Sequence, residues 1–327
     1  MSLLTEITRR ALVSLPIEPA DLIRLFRTTP EEELFRASHL ITARRASRRF
    51  DVCTIVNAKS GRCTEDCRWC AQSRHWETRV KVTPILPMTE TARALQKAEA
   101  LRIRKFSFVT SGRKLSMRET REIEAHIREA AARPGMEVCG SFGLMDEKAL
   151  KLLKASGLTR LHCNLETGRD YFPKVCTTHT REEKIATLKA ARRADLDICS
   201  GGLFGMGETF DDRVELAFAL HALDVRSIPL NFLSPIAGTP MENARAMPAS
   251  DVLKTIALFR FVNPAAYLRF AGGLAGLSRQ TLQAGLYVGV NSAIVGDFLT
   301  TAGLSVEKML ELAREAGYRT DPDQFNT

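Results

Sequence analysis

Eight times along this chain an apolar, β-branched run is followed by a stretch with helical spacing, and that rhythm limits the fold more than any other feature. The runs cover residues 50–58, 105–110, 136–142, 160–165, 197–201, 227–233, 267–271 and 290–295. The helical stretches cover 89–101, 116–131, 146–155, 181–194, 211–223, 249–261, 279–285 and 305–316. Caps support several helix starts, as where Thr180 precedes Glu183 by three residues or Ser250 precedes Asp251. Eight strand-then-helix units predict an α/β fold, a closed (β/α)8 barrel of the TIM type. A helical amino-terminal extension over residues 1–45 precedes it, and the barrel with a C-terminal helix fills 46–327. A doubly wound open sheet satisfies the same periodicity. No linker or low-complexity tract divides the chain.

At 327 residues, 45% hydrophobic and 26% charged, the chain has the composition of a soluble globular protein. No apolar run approaches the roughly 20 residues that cross a bilayer, and Glu6, Arg9, Arg10 and Pro16 interrupt the amino terminus. The expectation is a cytoplasmic protein without a signal peptide or membrane partner. Thiols stay reduced in that compartment, so the eight cysteines point to metal binding or catalysis rather than to disulfides. The net charge of +9 invites a nucleic-acid partner, but basic residues alternate with acidic ones along the helical stretches, as over 119–128. Only Arg44, Arg45, Arg48 and Arg49 form a dense group, read as a solvated helix end. No nucleic acid is expected.

Cys63-Thr-Glu-Asp-Cys67-Arg-Trp-Cys70 follows the first strand, which places it at the barrel mouth where such folds carry their chemistry. Three cysteines are one short of the four that a [4Fe–4S] cluster usually takes, leaving one iron open to a small molecule. Structural zinc would ask for a fourth Cys or His nearby, and His75 is the only close candidate.

The Cys-x3-Cys-x2-Cys spacing, with Trp69 before the last cysteine, resembles the cluster loop of radical S-adenosylmethionine enzymes. Within them, Glu65-Asp-Cys-Arg-Trp-Cys-Ala-Gln-Ser73 resembles the biotin synthase family. The likeness continues through Asn164-Leu-Glu-Thr167, the Thr177-Thr178 pair, Cys199-Ser-Gly-Gly-Leu-Phe-Gly-Met-Gly-Glu-Thr209, Pro229-Leu-Asn231, Gly238-Thr-Pro240, Tyr267-Leu-Arg-Phe270 and Asn291-Ser292, in order over about residues 45–302.

The resemblance implies a reaction. S-adenosylmethionine chelates the open iron, one electron cleaves it to methionine and a 5′-deoxyadenosyl radical, and the radical takes hydrogens from dethiobiotin. An auxiliary iron–sulfur cluster deeper in the barrel then supplies the sulfur. The resemblance also implies a reduced flavodoxin or ferredoxin-type electron donor, iron–sulfur assembly machinery to rebuild the cluster, and a homodimer.

It assigns residues as well. Cys63, Cys67 and Cys70 hold the [4Fe–4S] cluster. Asn164 and Glu166, on one face of the fourth strand by alternation, match positions that contact S-adenosylmethionine and substrate, and Asn231 matches a substrate-binding asparagine. Gly205 and Gly207 fall in the glycine-rich segment beside the S-adenosylmethionine site. Trp69 packs by the adenine or the cluster, or anchors the loop. Lys184 stands where the family has an arginine facing the methionyl carboxylate, unless it is simply a solvated helix lysine. Cys139, Cys199 and Arg269 match three of four auxiliary [2Fe–2S] ligands, but Ser107 occupies the second-strand cysteine position. Cys53, on the parity of Asn57, compensates, with Cys176 or Cys163 as a further thiol; Cys163 points away from the lumen and reads better as core. Four thiols suit a four-iron auxiliary cluster over [2Fe–2S], with Arg269 a neighbour or ligand. Phe106 and Phe108, alternating with Ser107, should face the helices.

Three functions follow. The first is sulfur insertion by the biotin synthase reaction. The second is a related barrel enzyme, of the hydrogenase-maturation or methylornithine-synthase kind, acting on another small molecule. The third is a non-catalytic iron–sulfur binding or scaffold protein.

Overall fold

A computed structural model describes residues 1–296 and 305–320; the expected residues 321–327 of the C-terminal unit lie outside them. Among the described residues nine strands run in chain order: β1 Asp51–Lys59, β2 Lys105–Thr110, β3 Glu137–Ser141, β4 Leu158–His162, β5 Asp197–Cys199, β6 Gly202–Phe204, β7 Ser227–Phe232, β8 Tyr267–Phe270 and β9 Ser292–Val295. All pair in parallel. β1 lies between β2 and β9, and β5 meets β7 at Cys199 and Ser227, so the sheet closes on itself. The open sheet is excluded. β5 and β6 are two halves of the fifth strand, which makes this the expected eight-stranded barrel.

The expected fifth strand runs to Gly201, but the regular pairing stops at Cys199. A Cβ on Gly201 would lie 1.9 Å from the Pro229 carbonyl oxygen, so the chain crosses β7 there too closely for any side chain. Phe106 and Phe108 are buried among the surrounding helices, as alternation requires. Those helices include Met88–Ala100, Met117–Ala131, Arg181–Arg193, Phe210–Ala222 and Ala249–Val262. Reciprocal capping boxes start three of the helices, at Ser116 and Glu119, Thr180 and Glu183, and Thr209 and Asp212. Ser250 is not a cap. Its helix begins at Ala249 behind Pro248, and the Ser250 hydroxyl donates to Glu31 Oε1 at 2.8 Å, tying the barrel to the extension.

The extension is three helices, Leu3–Leu12, Pro19–Thr28 and Glu31–Arg45. Hydroxyls of Ser38 and Thr42 donate to the Val288 carbonyl just ahead of β9. Part of the arginine group is spent locally: Arg45 donates to Leu12 O, and Arg48 donates to Gly317 O and covers the Tyr318 ring. Among the described residues no helix is long and apolar enough to cross a membrane.

Candidate active site

Two cavities share one wall inside the barrel, the deeper reaching Lys105 and Ser227 at the amino ends of β2 and β7. The deeper, about 320 Å³, is lined by Cys53, Ser107, Cys139, Cys199 and Arg269. The outer, about 240 Å³, is lined by Cys63, Cys67, Cys70 and Lys184. Trp69, Cys70, His162, Asn164 and Glu166 border both, so the two spaces are neighbours.

The cysteine loop owes its shape to backbone bonds. Cys63 N donates to Gln72 O at 2.9 Å and Arg74 N to Cys63 O at 2.8 Å, while Gln72 Oε1 accepts from Gly61 N. Trp76 Nε1 donates to Cys67 O at 3.0 Å. Burial pushes the Cys70 thiol up to about 11. A bound cation would have to displace those protons, as thiolate ligation always requires. Trp69 packs against Val175, Leu203, Met206 and Met241, so it anchors the loop while bordering the cavities. His75 turns away and contacts Thr64 O.

β4 and its extension aim Arg160, His162, Asn164 and Glu166 into the lumen on one parity. Asn164 Oδ1 accepts from Gly201 N at 2.9 Å. Glu166 adopts a left-handed backbone at φ 69° and reaches within 4.0 Å of Lys184 Nζ. Burial raises the Glu166 carboxyl against the pull of Lys184. Burial alone would lower Lys184, but Cys163 and Glu166 outweigh it and raise its pKa. Lys184 is thus a lumen cation and not a solvated helix lysine. Asn231 donates to Gly202 O at 3.0 Å and accepts from Gly272 N at 2.9 Å, which leaves one amide N–H and one oxygen lone pair free for a ligand. Gly205 and Gly207 take positive φ in a turn held by Glu208, whose oxygens accept from Gly205 N and Met206 N; neither glycine lines the cavities.

In the deeper cavity Arg269 Nη1 lies 3.5 Å from Cys53 Sγ, and Arg269 Nη2 is 2.5 Å from Asp51, which also holds Lys105 at 2.7 Å. Ser107 stands beside Cys139 in the β2–β3 register. Burial pushes Cys139 up to about 12 and Cys53 up as well. Burial also opposes ionisation of Cys199, but His162, Arg269 and Ser227 bring it down to about 7. Three thiols among Arg269, Arg160 and His162 form a pocket that suits an anionic sulfur-rich group.

Cys176 does not join them. The segment after β4 folds back over the cysteine loop, where Arg68 N donates to Val175 O and Asp66 accepts from the backbone of Thr177 and Thr178. Cys176 Sγ therefore lies 3.8 Å from Cys67 Sγ, and the expectation of Cys176 as an auxiliary ligand is corrected. Cys163 is buried between the hydrophobic core and the outer cavity, which it lines near Lys184, leaving three thiols in the deeper cavity. Sequence reasoning missed Arg160 and His162, although they share the parity of Asn164; it also missed Lys105, Asp51 and Trp76.

Residues 58–220 match the Radical SAM superfamily and 229–319 the Biotin and Thiamin Synthesis associated domain. A biotin synthase of Porphyromonas gingivalis is 44% identical over 91% of each chain, and one of Parabacteroides distasonis is 46% identical over 88% of each. The chain belongs to the biotin synthase family. Family membership brings a [4Fe–4S] cluster and S-adenosylmethionine, and the outer cavity fits both, with three soft thiols beside an anion and a cation suited to an amino acid zwitterion. Two solved structures share the fold: a methylornithine synthase (TM-score 0.82, 15% identical, 96% of this chain and 97% of that one) and a maturase of the [FeFe]-hydrogenase (TM-score 0.82, 16% identical, 98% and 75%). At those identities they speak to the barrel and not to the substrate.

Proposed function

We propose that this chain converts dethiobiotin to biotin, with radical generation in the outer cavity and sulfur supply in the deeper one. The observation that carries the reading is the shared wall: the three loop cysteines and the three lumen cysteines border neighbouring spaces of one barrel. When bound, the cluster and S-adenosylmethionine supply an electron and a 5′-deoxyadenosyl radical that breaks substrate C–H bonds. Cys63, Cys67 and Cys70 hold that cluster. Lys184 binds the methionyl carboxylate, and Glu166 and Asn164 fix the cofactor's polar groups on the shared wall. Asn231 presents its free amide N–H and lone pair to the ureido ring. The lumen excludes water and holds one substrate carbon toward the outer cavity.

Cys53, Cys139 and Cys199 hold the sulfur donor, an iron–sulfur group, with Arg269 beside it; with three thiols where four were expected, thiol number no longer favours a four-iron over a two-iron group. A reduced flavodoxin or ferredoxin-type protein serves as electron donor, assembly machinery renews the donor cluster, and the working form is a homodimer in the cytoplasm.

Anaerobically reconstituted chain, given dithionite, S-adenosylmethionine and dethiobiotin, is expected to form biotin with 5′-deoxyadenosine. Cys139→Ala is expected to keep 5′-deoxyadenosine formation and lose biotin, along with the iron and sulfide in excess of one [4Fe–4S] cluster. Release of 5′-deoxyadenosine without biotin from the unaltered chain would sink the reading.

A further inference from the structure

Cys67, Cys176 and His179 form a second arrangement of donors that the radical chemistry does not use. Their ligand atoms all lie within 4.8 Å of one another. Cys67 Sγ and Cys176 Sγ are 3.8 Å apart, and the His179 ring lies against Cys176 Sγ with Nδ1 at 3.3 Å and Nε2 at 3.8 Å. A tetrahedral zinc site with Zn–S of about 2.3 Å and Zn–N of about 2.0 Å has S···S edges of about 3.8 Å and S···N edges of about 3.5 Å. The two edges through Cys176 are close to those values, and the third donor falls within reach of the same ion.

The surroundings are those of a built site. His179 Nδ1 pairs with Glu65 Oε2 at 2.6 Å, which leaves Nε2 as the donor, and Arg113 and Thr64 hold Glu65 in turn. A carboxylate on the far nitrogen of a histidine is the usual outer support of a metal ligand. Asp66 clamps the Cys176 segment onto the loop by accepting from Thr177 N at 2.8 Å and Thr178 N at 3.2 Å. Cys176 and His179 are buried, whereas Cys67 is only partly so.

We propose that the cluster-free chain binds one thiophilic divalent ion, of the zinc or cobalt(II) kind, between Cys67, Cys176 and His179. Because Cys67 also belongs to the cluster loop, the ion and the radical-generating cluster exclude one another. The site stands on its own distances, and only its exclusivity rests on the cluster assignment. It sets a competition during maturation: zinc held here blocks cluster assembly until it leaves. The distant segment that supplies Cys176 and His179 is what a search near the loop for a fourth zinc ligand overlooks.

Full-length chain, stripped of iron by a chelator under anaerobic reducing conditions, is titrated with Co²⁺ alone. The expected result is one equivalent bound, with tetrahedral d–d bands in the visible, a thiolate-to-cobalt charge-transfer band, and displacement by Zn²⁺. Cys176→Ser and His179→Gln are each expected to weaken Co²⁺ binding by at least about 100-fold, and Glu65→Gln by about 10-fold or more. Cys63→Ser and Cys70→Ser should leave the spectrum intact. Circular dichroism of each variant confirms that it is folded. As an independent readout, equimolar zinc should slow cluster reconstitution of the unaltered chain but not of Cys176→Ser. Binding that survives Cys176→Ser yet is lost in Cys63→Ser or Cys70→Ser would place the ion on the loop alone and overturn the proposal, as would the absence of tetrahedral bands.

Discussion

Lys184 brings a positive charge into a cavity it shares with Glu166 and four cysteines, Cys63, Cys67, Cys70 and Cys163. A lysine there is a point charge without the bidentate fork of arginine, so it holds a carboxylate by charge more than by geometry. Lys184→Met is expected to raise the KM for S-adenosylmethionine about 10- to 100-fold, the range for losing a hydrogen bond to a charged group. Lys184→Arg should recover most of that, as measured by 5′-deoxyadenosine formation. A different residue, His126, sets a pH response remote from the chemistry. Burial lowers its pKa, and its Nδ1 lies 2.7 Å from Thr91 Oγ1. The unfolded chain then binds this proton more readily than the folded one, so stability is complete above the unfolded value of about 6.5 and declines as pH falls through it. His126→Gln should flatten that part of the slope, read as the difference between the two urea midpoints from pH 5.5 to 8. At this scale alternation made Asn164 and Glu166 legible. His162 shares their parity and was legible by the same alternation. Cys176 was not legible, because nothing in local spacing tells that its segment returns to Asp66.

The strands and helices followed the apolar periodicity closely, since each strand had to bury a face against both lumen and helices. The break between β5 and β6 did not follow it. Ser200 and Gly201 read as strand, but the approach to Pro229 forbids regular pairing, and no pattern within the segment reports a neighbour 28 residues away. Gly201→Ala places a methyl group against backbone that cannot move without shifting β7. The expected cost is about 3 kcal/mol or more in urea unfolding. Because Cys199 and the Asn164 bond to Gly201 N flank the site, the same variant should also hold less iron in the deeper cavity. A cap offers the milder contrast. Thr209 starts the helix Phe210–Ala222 reciprocally with Asp212, and Thr209→Ala should cost about 1 kcal/mol, with iron content unchanged.

A closed barrel divides its labour between two ends: loops after the strands carry chemistry, and the opposite end carries stability. Arg260 marks that opposite end. It is fully buried, and its guanidinium donates to the carbonyls of Pro264, Ala266 and Gly289 and to Asn291 Oδ1, which itself accepts from Leu268 N. These bonds join the starts of β8 and β9 to the helix Ala249–Val262 and so hold the seam beside the place where the sheet closes onto β1. Burial lowers the Arg260 pKa to about 10, which still leaves it cationic at neutral pH. Arg260→Leu fills similar space but strands the carbonyls without donors, a loss of about 3 kcal/mol or more. Urea unfolding followed through Trp69 and Trp76 is expected to show that loss. At low temperature, where the variant stays folded, its kcat per bound cluster should match that of the unaltered chain. A fall in kcat at full folding would mean that the seam shapes the cavities as well as holding the barrel shut, and that the two ends are not separable.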